Sequence, residues 1–369
     1  MEIRPSDRIL YQAGTNRVPV SGTFELSPLC NFSCKMCYIR RTPEEVFALG
    51  GLQSAQQWLK WARQAREAGM LWLLLTGGEP FLYPDFLALY EELAGMGFFL
   101  SINTNGVLID ERALEVLKRA VPKRINITLY GASAESYAAL CGDASGFRRV
   151  MKNVRRLREN GINYKYNVSL TNENCHELPR IVALAKEQGV PVEVAAYMFP
   201  PVRRGMAPPP ENYRLSAEQA GYYAAEAMRL QLPKDEFCAY AATMLKLQPP
   251  PVVSNGEARE MACRAGRCSF WLNWQGRLSA CGMLDEPSVS LLHTPFSRAW
   301  AQLVEVTNET RCLAGCGGCP NVPFCHPCIA AASCETGDQN GRPEYKCKML
   351  LAEAAAYKAM LGKIEAEKE

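Results

Sequence analysis

Between residues 22 and 197 short β-rich runs alternate with amphipathic stretches of helical period, and this rhythm restricts the fold more than any other feature. Strands are expected at 23–26, 70–75, 98–102, 124–129, 164–170 and 192–197. Helices are expected between them at 54–68, 84–94, 111–118, 146–159 and 174–188. Gly69, Gly97, Gly161 and Gly189 each follow a helical run and precede a strand, the usual position of a helix-ending glycine. Strands separated by helices of this length pair in parallel, as βαβ units. Six such units make either an open doubly wound sheet or a partial (β/α) barrel. In both, chemistry sits on the loops that leave the C-terminal ends of the strands.

The texture then changes. Residues 199–210 read FPPVRRGMAPPP, which continues neither a helix nor a central strand. The expected organisation is an N-terminal segment 1–21, the βα region 22–199, a proline-rich linker 200–215 and a second domain 216–369 ending in a helix of strong formers. A length of 369 residues suits about two domains. With 48% hydrophobic and 21% charged residues the chain is globular rather than disordered. Its net charge of +3 is too small to imply a nucleic-acid surface or a polybasic membrane anchor. The longest apolar runs, such as 70–75, fall far short of the roughly 18 residues that a membrane span needs. The N-terminus has no signal-peptide core, so a cytoplasmic location is expected.

Cysteine is the anomaly. There are 16, with Cys30, Cys34 and Cys37 together and ten between Cys263 and Cys347. A cytosolic chain of this size has core enough without disulfides, so clustered thiols point to metal or redox chemistry. Cys30, Cys34 and Cys37 have C-x3-C-x2-C spacing on the loop after the first strand. Three thiolates leave a fourth position empty, whereas structural zinc takes a full set of four. A 4Fe–4S cluster held by three thiols leaves one iron free for a cofactor. The next strand ends in Thr76-Gly77-Gly78-Glu79-Pro80, where glycines allow close backbone approach and a carboxylate can accept from an ammonium.

On these residues, with Tyr38 just after the last thiol, the sequence resembles the radical S-adenosylmethionine (SAM) superfamily. The resemblance implies a partial (β/α)6 TIM-type barrel, a SAM-binding 4Fe–4S cluster on Cys30, Cys34 and Cys37, and SAM contacts at Gly77, Gly78, Glu79 and Pro80. Asn103, in the run Asn103-Thr104-Asn105-Gly106, and Thr128 match places where relatives touch the ribose or carboxylate.

The C-terminal cysteines read C-x4-C-x7-G-x4-C from Cys263 through Cys268 and Gly276 to Cys281. They continue C-x2-C-x5-C-x2-C from Cys316 through Cys319 and Cys325 to Cys328, and close at Cys347. This resembles a SPASM domain, an extension that carries two auxiliary 4Fe–4S clusters, which would bring the total to three. The implied ligands are Cys263, Cys281 and Cys328, with Cys268 as a fourth, for the first cluster, and Cys316, Cys319, Cys325 and Cys347 for the second. The gap from Cys325 to Cys328 is one residue shorter than the family form. Zinc on the C-x2-C pairs, and a redox role for the Cys325–Cys328 pair, are the competing readings. Cys141, Cys175 and Cys238 read as small buried hydrophobes.

The implied activity is that of an oxidoreductase: reductive cleavage of SAM to a 5′-deoxyadenosyl radical, which takes hydrogen from a substrate. Within SPASM enzymes, modification of a ribosomally made precursor peptide is the expected function. Small-molecule dehydrogenation, sulfatase-maturase-like oxidation and non-enzymatic iron–sulfur or zinc binding are alternatives. Sulfatase maturases place an Asp base directly after the cysteine that here is Cys281, and this chain has Gly282. Expected partners are the precursor peptide, a reductant such as flavodoxin or ferredoxin, and a separate leader-peptide-binding protein, with no nucleic acid and no membrane. Tyr130 replaces an acidic residue frequent in the family.

Overall fold

A computed structural model describes residues 4–201, 203, 213–246, 259–260, 263–309, 311–312, 325 and 327–367. Six parallel strands run in order: β1 (Ser21–Glu25), β2 (Trp72–Thr76), β3 (Phe99–Thr104), β4 (Arg124–Thr128), β5 (Tyr164–Ser169) and β6 (Val192–Ala195). Each neighbouring pair is in parallel register, for example Phe24 opposite Leu75 and Ile127 opposite Tyr166. All six lie within two or three residues of the expected runs.

The crossovers place helices on the outer face. They are α2 (Pro43–Ala48), α3 (Ala55–Glu67), α4 (Phe86–Gly95), α5 (Glu111–Arg119), α6 (Ala134–Cys141), α7 (Gly146–Glu159) and α8 (Leu178–Gln188), preceded by α1 (Pro5–Asn16). Local chemistry sets their ends. Ser54, Asp110 and Ser133 accept from backbone amides three residues on, and Gly142 and Gly189 close helices in the left-handed conformation. Alternate strand residues such as Phe24, Leu73, Ile102, Ile125, Ile127 and Val168 are buried against these helices. The other set is polar: Ser101, Asn103, Asn126, Asn167 and Ser169 are half-buried, and Asn126 donates to Asn103 at 2.7 Å. The barrel interior is therefore built to hold something polar.

Six strands are not the whole sheet. Three more, β8 (Ser269–Leu272), β9 (Arg277–Ser279) and β10 (Ser288–Ser290), extend it beyond β1 in the order β10-β9-β8-β1. β8 runs parallel to β1, with Gly22 opposite Phe270 and Phe24 opposite Leu272. A separate two-stranded ribbon joins β7 (Arg259–Glu260) to β11 (Arg311–Cys312). The C-terminal helices are α9 (Ala217–Gln231), α10 (Lys234–Lys246), α11 (Phe296–Glu309), α12 (Ile329–Thr336) and α13 (Glu344–Ala366). α9 lies so close on α13 that a Cβ at Gly221 would stand 2.3 Å from the Met349 carbonyl. Among the described residues no helix is long and apolar enough to cross a membrane.

Candidate active site

The loop after β1 carries the thiols and is fixed from two sides. Ser33 and Lys35 donate backbone bonds to the carbonyls of Cys141 and Leu140, the end of α6, at 3.0 Å each. Phe32 is buried edge-on against Tyr130 and Tyr137. From the β2 side, the Gly78 amide donates to the Ser27 carbonyl at 2.7 Å and the Glu79 amide to that of Leu29 at 2.9 Å. A Cβ at Gly78 would fall 2.3 Å from the Leu29 oxygen, and one at Gly77 2.5 Å from that of Ser27. The glycines are required by contact with the thiol loop itself, rather than by approach to a ligand alone.

Cys30, Cys34, Cys37, Gly77, Gly78, Asn103 and Thr128 line one cavity of 310 Å³ at the C-terminal ends of the strands. Glu79 and Pro80 are buried beside it and do not line it. Glu79 is fully enclosed. It accepts from the Thr104 hydroxyl at 2.7 Å and from the amides of Asn105 and Phe81 at 2.8 and 3.2 Å. A carboxylate offers about four acceptor positions, so the expected ammonium contact meets a group already bound into the scaffold. Through these bonds Glu79 clamps the loop after β3 to the loop after β2. Burial pushes its pKa up to about 7.

Three residues not singled out as ligands or contacts also reach the thiols. Asn105 donates to Asn31 at 2.9 Å and stands 3.9 Å from the Cys30 sulfur. Tyr130 lines the cavity and is buried. Cys141 is buried against Cys34 rather than merely filling core: its thiol, followed by burial, holds the Cys34 pKa well above the ordinary thiol value, and a hydrogen bond from Tyr130 opposes the rise. The N-T-N-G run flags Asn105, whereas nothing local in sequence flags Cys141.

Burial raises the Cys30 thiol to about 12, so it becomes a thiolate only when a cation displaces its proton. Three such soft donors on one loop, facing a cavity, fit a three-thiolate iron–sulfur cluster.

A second group of thiols lies in the C-terminal region. Cys263, Cys281 and Cys328 line a mainly apolar cavity of 580 Å³ with Leu284, Ile329 and Ala330. The Cys281 sulfur accepts from the Met283 amide and that of Cys328 from the Ala331 amide, both at 3.4 Å. Cys268 does not line that cavity but shares a neighbouring one with Cys263, buried with Ala13 and Val20 and 3.7 Å from the Leu10 carbonyl of α1. Cys334 lies 3.6 Å from the Met283 carbonyl. Cys325 and Cys347 are half-buried, and Cys316 and Cys319 lie outside the described residues. Among the described residues no three His, Cys, Asp or Glu side chains approach closely enough to ligate a single metal ion, so the thiols share cavities rather than one point.

Residues 24–200 match the model of the radical SAM superfamily. The chain carries a radical SAM domain. It is similar to the AdoMet-dependent heme synthase of Methanosarcina barkeri, 24% identical over 85% of this chain and 92% of that protein. It is 28% identical to the Bacillus subtilis subtilosin biosynthesis protein AlbA, over 50% of this chain and 41% of that relative. The fold is shared with Streptococcus suis SuiB, solved with its precursor peptide SuiA, at a TM-score of 0.65 over 93% of this chain and 80% of that one, with 16% identity. The cysteine-rich C-terminus is consistent with a SPASM-type domain.

Proposed function

We propose that this radical SAM enzyme modifies a ribosomally made peptide by hydrogen abstraction. The observation that carries the reading is one cavity lined at once by three thiols, by Gly77 and Gly78 and by the polar strand ends Asn103 and Thr128. A 4Fe–4S cluster bound there would supply the electron for reductive cleavage of SAM, and so the hydrogen-abstracting chemistry. Cys30, Cys34 and Cys37 would hold that cluster. Glu79 fixes the loops on which it sits, and Phe32, Tyr130 and Tyr137 wall the site against water. Asn126 donates to Asn103 across β3 and β4 and so holds the Asn103 side chain at the cavity wall.

In the same reading Cys263, Cys281 and Cys328, with Cys268 as a fourth, would hold one auxiliary cluster, and Cys316, Cys319, Cys325 and Cys347 a second. Electrons would enter from a flavodoxin- or ferredoxin-type donor, and a separate leader-binding protein would deliver the peptide. The similarity to AlbA supports a peptide substrate. A second reading, oxidation of a small molecule, is favoured by the longer match to the heme synthase.

Anaerobic reconstitution followed by reduction with SAM tests the proposal. About twelve irons per chain and release of 5′-deoxyadenosine are expected. Deoxyadenosine formation that a precursor peptide stimulates, with a mass change in that peptide, supports the first reading. Stimulation only by a small molecule supports the second, and no deoxyadenosine under any condition overturns both.

A further inference from the structure

A buried charged node lies between the two thiol-lined cavities, and nothing above uses it. Glu25, at the end of β1, is completely buried. Arg203 binds it with both terminal nitrogens, at 2.9 and 2.7 Å, and is itself more than nine-tenths enclosed. The Trp271 indole of β8 donates to the same carboxylate at 2.9 Å. The remaining guanidinium nitrogen, Nε, donates to the Gly282 carbonyl at 3.0 Å. The Arg203 amide donates to the Tyr38 carbonyl at 3.2 Å, and its guanidinium lies 5.4 Å from the Tyr38 ring centroid. Tyr38 directly follows Cys37, and Gly282 directly follows Cys281. One residue therefore grips the chain immediately after the last thiol of the first group and immediately after a thiol of the second.

The packing leaves little freedom there. A Cβ at Gly282 would stand 2.7 Å from the Trp271 indole, so the place where sulfatase maturases carry an Asp side chain is filled by Trp271. Fold stability alone is a weak reason for such a node. Replacing a buried ion pair by apolar residues of similar volume is often neutral or stabilising, because desolvation of two charges offsets their attraction. What the fork supplies is direction, with each guanidinium nitrogen bonded and both turns held in one frame.

We propose that Arg203 is a positioning residue that fixes the thiol loop of the radical SAM centre relative to the Cys281 turn of the auxiliary centre. The proposal rests on the reading that both thiol groups hold iron–sulfur clusters, and the wild-type iron count tests that reading separately. Electron exchange between two centres depends on their separation and relative orientation, so the latch governs coupling between them rather than the assembly of either.

The test compares wild type, Trp271→Phe and the double variant Glu25→Leu with Arg203→Met, each reconstituted anaerobically. The double variant leaves no orphaned charge, which keeps it folded. Hydrogen exchange is read at residues 37–39 and 281–284, and the spin–spin interaction between the reduced centres by pulsed electron paramagnetic resonance. In the double variant both segments exchange about tenfold faster together, and the interaction changes while the iron count holds. Trp271→Phe removes the indole bond to Glu25, and through the Glu25–Arg203 pair it speeds exchange at 37–39 about threefold. Unchanged exchange at 37–39 in Trp271→Phe, or an unchanged spin interaction in the double variant, overturns the proposal. A wild-type protein with only about four irons overturns the two-cluster reading instead, and the exchange measurement on its two segments still decides whether the latch exists.

Discussion

Glu79 is a carboxyl group that folding has taken out of water. Its pKa is raised from 4.5 to about 7 by burial, against three hydrogen bonds that favour the charged form. A raised carboxyl binds its proton more tightly in the folded state. Its contribution to stability is thus full below about pH 4.5 and is lost as pH climbs through 7, an effect of about 3 kcal/mol. Thermal melts of the wild type and Glu79→Gln between pH 5 and 8 should show the deficit of the variant shrinking as pH rises. A deficit that stays constant would mean that Glu79 remains charged. At the thiols, Cys34→Ala should abolish deoxyadenosine formation while the iron associated with Cys263, Cys281 and Cys328 stays bound. Iron counting alongside the assay separates these effects, and retained SAM cleavage would remove the thiol triplet from the mechanism.

Two close approaches decide how elements fit. Gly78→Ala places a methyl 2.3 Å from the Leu29 carbonyl, where the neighbour is backbone and cannot turn aside. The thiol loop must shift, so SAM binding measured by equilibrium dialysis should weaken by at least about tenfold with little change in melting temperature. Gly221→Ala meets the Met349 carbonyl and the Glu353 amide in the same way and should separate α9 from α13, costing about 1–3 kcal/mol in denaturant titration.

The elements differ in how openly the sequence announces them. β1 to β6 are legible because each is a run of four to six residues of β type bounded by helical periods. α6 goes unannounced: it has only eight residues, wedged between a strand end and α7. β8 to β10 are missed for the opposite reason to the barrel strands, since runs of three or four residues among cysteines and turn residues carry no period of their own. The site divides along the same line. Cys30, Cys34, Cys37 and the two glycines are legible because their chemistry depends on local spacing. Cys141 and Arg203 are not, because each arrives through packing between segments more than 100 residues apart. Glu79 is found by its motif, whereas its three bonds to Thr104, Asn105 and Phe81 are not, since motif spacing says nothing of the direction in which a carboxylate points.

At the scale of the whole molecule, β8 pairs along the free edge of β1, and Phe270, Leu272 and Leu278 join the same core as the barrel strands. Removing everything after residue 246 would expose that edge and its apolar neighbours. Such a chain is expected to elute as aggregate in size-exclusion chromatography, whereas the full chain stays dispersed. A monomeric, soluble truncation would show that the barrel completes its sheet without the C-terminal strands.

The pairing of β8 with β1 also has a consequence in time. β1 leaves the ribosome well before its partner on that side, which follows some 245 residues later. Even after β6 has emerged, the roughly 75 residues up to the end of β8 take about 4–15 s to synthesise, during which the nascent barrel waits with an open side. Slower elongation lengthens that interval. The yield of native protein should therefore follow the pace of translation across residues 196–272, and holdase chaperones should act most strongly on chains stalled there.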